Sequence, residues 1–111
     1  MAIGANTTEV KYYRGDSYSK EFTIIDEETN DPIDITGYTL IMEVDELKTP
    51  PDGTTQKFTA TGTIIDALNG IVSFTPTSAN NNMPEAVYYY RVKMTLGATI
   101  RTVIRDKYTI I

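Results

Sequence analysis

The sequence predicts an all-β domain of seven or eight short antiparallel strands. Residues 86–96 carry the clearest pattern, because from Tyr88 onward apolar and polar side chains alternate, as in a strand with one buried and one solvated face. Turn-forming residues recur about every 8 to 12 positions, and no segment has the periodicity of a long helix. These observations favour a two-sheet sandwich of the immunoglobulin type, with a small barrel as the alternative.

The strands follow from runs of β-branched and aromatic residues between turn residues. Residues 1–7 are mostly small or polar and are predicted to be a flexible tail, so residues 8–111 form the single domain that a chain of 111 residues suggests. Thr77 is expected to cap a short helical turn near residues 77–83. Strands are expected at residues 9–13, 19–26, 38–46, 56–61, 63–66, 71–75, 86–96 and 99–104, the last with an extended end through residue 110.

Connections between the strands contain the residues that turns require. Asn69-Gly70 predicts a two-residue hairpin of type I′, and Gly97-Ala98 predicts another tight turn. Pro50-Pro51 places an exposed loop at residues 47–55, because proline cannot donate ladder hydrogen bonds. Gly62 predicts a bulge or bend between two extended segments.

Alternation assigns side chains to the two faces of the longer strands. The side chains expected to face inward are Leu40, Met42, Val44, Tyr88, Tyr90, Val92, Met94 and Leu96. Those expected to face outward are Ile41, Glu43, Asp45, Tyr89, Arg91, Lys93 and Thr95.

Composition excludes several classes of function. The net charge of −5 argues against nucleic acid and anionic membrane surfaces as partners, since both require basic patches. The absence of cysteine excludes disulfides and thiolate metal sites, and the absence of histidine removes the commonest general base. No apolar run approaches ~18 residues, and the first residues do not resemble a signal peptide. We therefore expect no enzyme activity and no cofactor.

Two short motifs suggest function but are better interpreted as turns. Arg14-Gly15-Asp16 matches an adhesion tripeptide, but three residues carry little information, and Gly15 and Asp16 are typical turn residues. An acidic cluster suggests calcium ligands, but it lacks the spacing of a calcium-binding loop, so a solvated turn is favoured. The cluster comprises Asp26, Glu27, Glu28, Asp31 and Asp34.

Tyr88 occupies a position typical of immunoglobulin-like sandwiches. It begins a core strand after a polar crossover, where a tyrosine corner bonds a nearby main-chain group. On the opposite face of that strand, Tyr89, Arg91 and Lys93 form either a solvated face or a docking patch, because tyrosine and arginine are enriched at binding hot spots.

Several segments together resemble a known family. Arg14-Gly15-Asp16-Ser17-Tyr18, then Asp31-Pro32-Ile33-Asp34-Ile35-Thr36-Gly37, Asn69-Gly70-Ile71-Val72 and Tyr88-Tyr89-Tyr90-Arg91-Val92 are similar in order and spacing to the immunoglobulin-like N-terminal domain of bacteriophage baseplate upper proteins and related phage tail and fibre proteins. The resemblance extends from about residue 8 to residue 111. Its structural turn and corner residues are Gly15, Asp16, Pro32, Asp34, Thr36, Gly37, Asn69, Gly70 and Tyr88.

This resemblance implies a non-enzymatic structural protein of a tailed-phage virion, assembled in the host cytoplasm. It implies a tail, baseplate or fibre-anchoring adaptor that docks with other virion proteins in a symmetric assembly. In the family the domain is followed by further segments that hold receptor-binding proteins, whereas this sequence ends at Ile111, so that role does not carry over. The alternatives are a capsid accessory or decoration protein, and a saccharide-binding module that uses exposed rings such as Tyr12, Tyr13 or Tyr89.

Overall fold

A computed structural model describes residues 3–5, 9–48 and 56–111. These residues form strands and turns without a helix, which confirms the all-β class. Consequently, none of the described segments offers a helix long and apolar enough to cross a membrane. The strands are β1 (Ile3–Ala5), β2 (Val10–Tyr12), β3 (Lys20–Asp26), β4 (Thr39–Asp45), β5 (Gln56–Thr61), β6 (Thr63–Asp66), β7 (Ile71–Phe74), β8 (Ala86–Leu96) and β9 (Thr99–Ile110).

The strands form two sheets. The four-stranded sheet has the order β1-β3-β7-β6, and the five-stranded sheet has the order β2-β9-β8-β4-β5. This order agrees with that of immunoglobulin-type sandwiches, in which strands A, B, E and D face strands C, F and G. The prediction of antiparallel sheets is correct for every described pair except β2 and β9, which run parallel.

The core lies between the inner faces of the two sheets. The rings of Phe22 on β3 and Tyr90 on β8 meet across it, with centroids 6.1 Å apart. Most side chains that alternation assigned to the interior of β4 and β8 are buried. Leu96 is the exception, being 47% exposed, and it lies at the hairpin end of β8, where it pairs with Thr99.

Asp45 corrects the prediction of an outward, solvated side chain. It is only 6% exposed, and its Oδ1 atom accepts a hydrogen bond of 3.0 Å from the main-chain N–H of Leu47. The bond forms a local turn directly after β4, where the pairing with β5 is also irregular between Val44 and Asp45. Regular alternation does not predict the burial of a side chain at such an irregular strand end.

The N-terminal segment corrects the predicted strand count. Residues 3–5 form β1, where the sequence predicted part of a flexible tail, and this brings the described strands to nine. Ile3 pairs with Asp26, and Ala5 pairs with Ile24 at the edge of the four-stranded sheet. Three residues are too few for a readable alternation. The remaining residues of the predicted tail, 1, 2, 6 and 7, lie outside the described residues, as does most of the predicted proline loop.

The segment near residues 77–83 is a turn rather than a helix. The N–H of Asn81 donates to the carbonyl of Thr77 at 3.2 Å, which closes one turn that does not continue. The predicted capping by Thr77 is nevertheless present, because its Oγ1 accepts the N–H of Asn80 at 3.0 Å while Asn80 Oδ1 accepts the N–H of Thr77 at 2.9 Å.

The two hairpin turns differ in how closely they match the turn types predicted from the sequence. Gly97 has φ 59° and Ala98 has no positive φ, so the predicted tight turn is present with the glycine-first geometry of type II′. At Asn69-Gly70 the type I′ prediction is wrong, because only Gly70 has a positive φ. The turn instead begins at Ala67, whose carbonyl accepts the N–H of Gly70 at 3.2 Å.

Candidate docking surface

Two glycines close turns as the sequence predicted. Gly15 has φ 85° and Gly37 has φ 82°, and each is the third residue of a turn closed by an N–H to carbonyl bond of 3.0 Å. These are type II turns, which require a positive φ at that position. Asp16 takes part in its turn through the main chain, because its N–H donates to the carbonyl of Tyr13.

The connection from β3 to β4 is held by local hydrogen bonds. Asp34 Oδ1 accepts the N–H of Thr36 at 2.9 Å and the Thr36 hydroxyl at 2.5 Å. The hydroxyl and then the N–H of Thr36 lower the pKa of the Asp34 carboxyl, because they stabilise its ionised form. Pro32 lies opposite Ile25 in an isolated bridge, which returns the chain toward β3.

Tyr88 forms the corner that its position predicted. Its hydroxyl donates to the carbonyl of Pro84 at 2.8 Å, and its ring is buried. The bond links the start of β8 to the crossover that precedes it.

The buried side-chain amide of Asn81 links separate segments at the same end of the sandwich, and the sequence did not indicate it. Asn81 is fully buried, its Oδ1 accepts the hydroxyl of Tyr108 at 2.5 Å, and its Nδ2 donates to the carbonyl of Asp16 at 2.6 Å. Nearby, burial and then the adjacent Tyr18 raise the pKa of Tyr12 to about 12. The hydrogen bonds of Asn81 fix the Arg14-Gly15-Asp16 turn against the crossover that precedes β8.

The predicted docking residues lie together on the outer face of the five-stranded sheet. Tyr89, Arg91 and Lys93 project from β8, and Glu43 of β4 lies directly opposite Arg91. Arg91 Nε is 2.7 Å and Lys93 Nζ 3.2 Å from Glu43 Oε1. Two of the three predicted docking residues are therefore engaged within the chain.

The contacts with Arg91 and Lys93 change the pKa of Glu43. Partial burial tends to raise it, but the hydrogen bonds and charges of Arg91 and Lys93 outweigh burial and lower the pKa of the carboxyl. The sequence offered no sign of this cluster, because it depends on the register between β4 and β8.

A cationic cleft adjoins Tyr89 on this face. It has a volume of about 160 Å³ and is lined by Lys48, Tyr89, Tyr90, Arg105, Asp106 and Lys107. Arg105 Nη2 donates to the carbonyl of Lys48 at 3.0 Å, which draws the chain after β4 toward β9. Lys48, Arg105 and Lys107 form no ion pair within the described part of the chain, and the lining of the cleft contains these three cations and one carboxylate, that of Asp106.

An apolar edge is the second exposed feature. β6 ends the four-stranded sheet, and Ile65 lies at an irregularity in its pairing with β7. Ile65 is 56% exposed, and Leu68 in the following turn is 71% exposed. An exposed apolar edge of this kind can pair with a strand of another chain.

The candidate saccharide-binding rings of Tyr12 and Tyr13, the adhesion-like tripeptide and the acidic turn lie outside the cleft. Tyr12 is buried and cannot present its ring to a saccharide, whereas Tyr13 is 67% exposed. Arg14 Nε donates to Asn82 Oδ1 at 3.0 Å, so the adhesion-like tripeptide is tied to the crossover. Around the acidic turn, as elsewhere in the described residues, there is no group of three candidate metal ligands.

Similarity to known proteins is distant. No family model matches the chain, and no curated protein matches it. Among solved structures it is similar to the crystal structure of the periplasmic chaperone SfaE, with 14% sequence identity and a TM-score of 0.44. That match covers 98% of this chain and 57% of the chaperone chain, so the protein spans little more than half of the chaperone's length. A likeness at this level carries no argument about function.

Proposed function

We propose that this chain is a non-enzymatic structural module of a tailed-bacteriophage virion. It acts as a tail or baseplate adaptor, or as a fibre anchor, and meets other virion proteins by rigid docking. The virion context rests on the family resemblance of the turn segments, and the immunoglobulin-like order of the strands is compatible with it.

The observation that carries the docking role is the cationic cleft beside Tyr89. Three cations that form no ion pair with another described residue line the cleft together with Tyr89, and arginine and tyrosine are over-represented in protein interfaces. The sheet beneath is cross-linked, because Glu43 links β4 to β8 and a long ladder links β8 to β9. A preformed surface loses little conformational entropy on binding.

The test is incorporation into virions. The chain is expected in washed virions of the phage that encodes it, in a fixed number of copies, as measured by quantitative mass spectrometry. The double variant R105E/K107E is expected to be lost from the particles. R101E is the matched control, because Arg101 is exposed on the same strand but does not line the cleft.

Two results oppose this proposal in different ways. Absence of the wild-type chain from washed virions overturns the structural role itself. Equal incorporation of wild type and R105E/K107E keeps that role but moves the docking surface away from the cleft.

A saccharide-binding module is the second candidate, favoured by the exposed rings of Tyr13 and Tyr18. Both lie next to the Arg14-Gly15-Asp16 turn, where the Asn81 network holds the main chain. Binding on a glycan array that Y13A abolishes and R105E/K107E retains favours this function over docking.

A further inference from the structure

The acidic turn holds a charge equal to the whole net charge of the chain. Residues 26–34 contain five carboxylates and no basic residue, and the remaining ten acidic residues equal the ten basic ones. Glu27, Glu28, Asp31 and Asp34 are exposed, and Asp26 is partly so. Apart from this turn the molecule is electrically balanced.

Basic residues are concentrated on the opposite part of the molecule. Six of the ten project from the outer face of the five-stranded sheet or border it: Lys11, Lys48, Arg91, Lys93, Arg105 and Lys107. Glu43 engages Arg91 and Lys93, and Glu9 lies 3.8 Å from Lys11. Of these six, Lys48, Arg105 and Lys107 form no ion pair with another described residue, and all three line the cleft.

The cleft and the acidic turn lie at opposite ends of the strands. Thr39, at the turn end of β4, pairs with Thr95, whereas Asp45 at the other end pairs with Tyr89 beside the cleft. Six residue steps separate these ends, which is about 20 Å along a strand. A single copy therefore cannot bring its own turn into its own cleft.

We propose that the cleft binds the acidic turn of a second copy of this chain. Glu28 and Asp31 of one copy approach Arg105 and Lys107 of the next, with Tyr89 at the side of the contact. The two surfaces differ, so the contact is heterologous and repeats into a ring or an open row. It assigns a partner to the surface used in the proposed function, but as a contact between copies it does not depend on the virion assignment.

Sedimentation velocity of the purified chain tests this contact. Wild type is expected to self-associate reversibly at about 0.01 M salt and to dissociate at about 1 M, where the screening length falls from about 30 to about 3 Å. R105E/K107E and E28K/D31K are each expected to weaken association by about tenfold or more. An equimolar mixture of the two variants is expected to associate again, because the opposite charges then meet in each contact.

Matched controls separate this contact from a general charge effect. R101E and E21K change the net charge at exposed positions outside the cleft and the turn, and each is expected to associate as wild type does. A wild-type chain that stays monomeric at low salt, or a variant mixture that stays monomeric, overturns the inference. If wild type is monomeric but R105E/K107E still fails to enter virions, only the copy-to-copy contact is lost and the proposed docking function stands.

Discussion

Gly70 lies where a side chain would meet main-chain carbonyls. A Cβ atom built there falls 2.6 Å from the oxygen of Ile24 and 2.7 Å from that of Ile33. The same residue has φ 69°, and its carbonyl accepts the N–H of Ile24 at 2.8 Å. Glycine is therefore required here for two reasons, conformation and close approach.

We predict that Gly70→Ala lowers the free energy of unfolding by about 2–4 kcal/mol, because strain adds to a clash with backbone that cannot rotate away. Gly97→Ala is the matched control, since Gly97 also has a positive φ (59°) but has no atom near the added Cβ. It is expected to cost about 1 kcal/mol. Urea unfolding measures both, and equal losses would show that the clash at Gly70 is relieved.

The lowered pKa of Glu43 makes the free energy of unfolding depend on pH in the acid range. Its folded pKa is lowered, so its contribution is present above the unfolded value of about 4.3 and is lost as pH falls through the folded pKa. Glu43→Gln is expected to cost about 0.5–1 kcal/mol near pH 7, because Arg91 and Lys93 lose their carboxylate.

The difference between wild type and Glu43→Gln is expected to shrink at about pH 3, as measured by urea midpoints at both pH values. Glu21→Gln is the control, because Glu21 is exposed and belongs to no ion pair among the described residues. A penalty for Glu43→Gln that is the same at both pH values would contradict the role of its charge.

Single residues also show where sequence reasoning reaches its limit. Tyr88 was predictable, because the partner of its hydroxyl, Pro84, lies four residues away and the corner is a local feature. Asn81 was not, because its partners Asp16 and Tyr108 are distant in sequence. A buried amide is tolerated only when such partners are present, and sequence alone does not supply them.

At the scale of elements, every described strand except β1 was predictable, including the short strands β5, β6 and β7. β8 begins and ends at the predicted residues, because eleven positions give a readable alternation and the apolar set is large. Pairing between strands was not predictable, and the cluster of Glu43 with Arg91 and Lys93 depends on that register. β1 escaped prediction because pairing with β3, rather than local preference, makes it a strand.

Deletion of residues 1–5 tests β1. It removes the pairing with β3 and the partly buried Ile3 and Ala5, so we predict a loss of about 1–3 kcal/mol in unfolding free energy. Gly4→Ala is the comparison, because the three atoms nearest to its Cβ all belong to the flexible Glu27 side chain, and it is expected to cost much less. No loss on deletion in a urea titration would mean that these residues behave as the tail that the sequence suggested.

At the scale of the whole molecule, charge is unevenly distributed, and this has a consequence for stability. Five carboxylates lie within residues 26–34 and repel one another in the folded chain. They are held close together because the N–H of Asn30 donates to the carbonyl of Asp26, and the N–H of Asp26 donates to the carbonyl of Asp31. We predict that E28K/D31K raises the melting temperature by roughly 2–4 °C at low salt, by relieving this repulsion. The gain is expected to vanish at about 1 M salt, where the screening length is about 3 Å.

Calorimetry at low protein concentration measures this gain without interference from association between copies. E21K is the control, because it changes the charge of an exposed residue on β3 outside the turn, and it is expected to leave the melting temperature nearly unchanged. A gain that persists at high salt would assign the effect to local structure rather than to charge. A gain that is screened by salt, with E21K unchanged, would show that the turn holds its carboxylates at a cost to stability, as expected of a surface kept for a cationic partner.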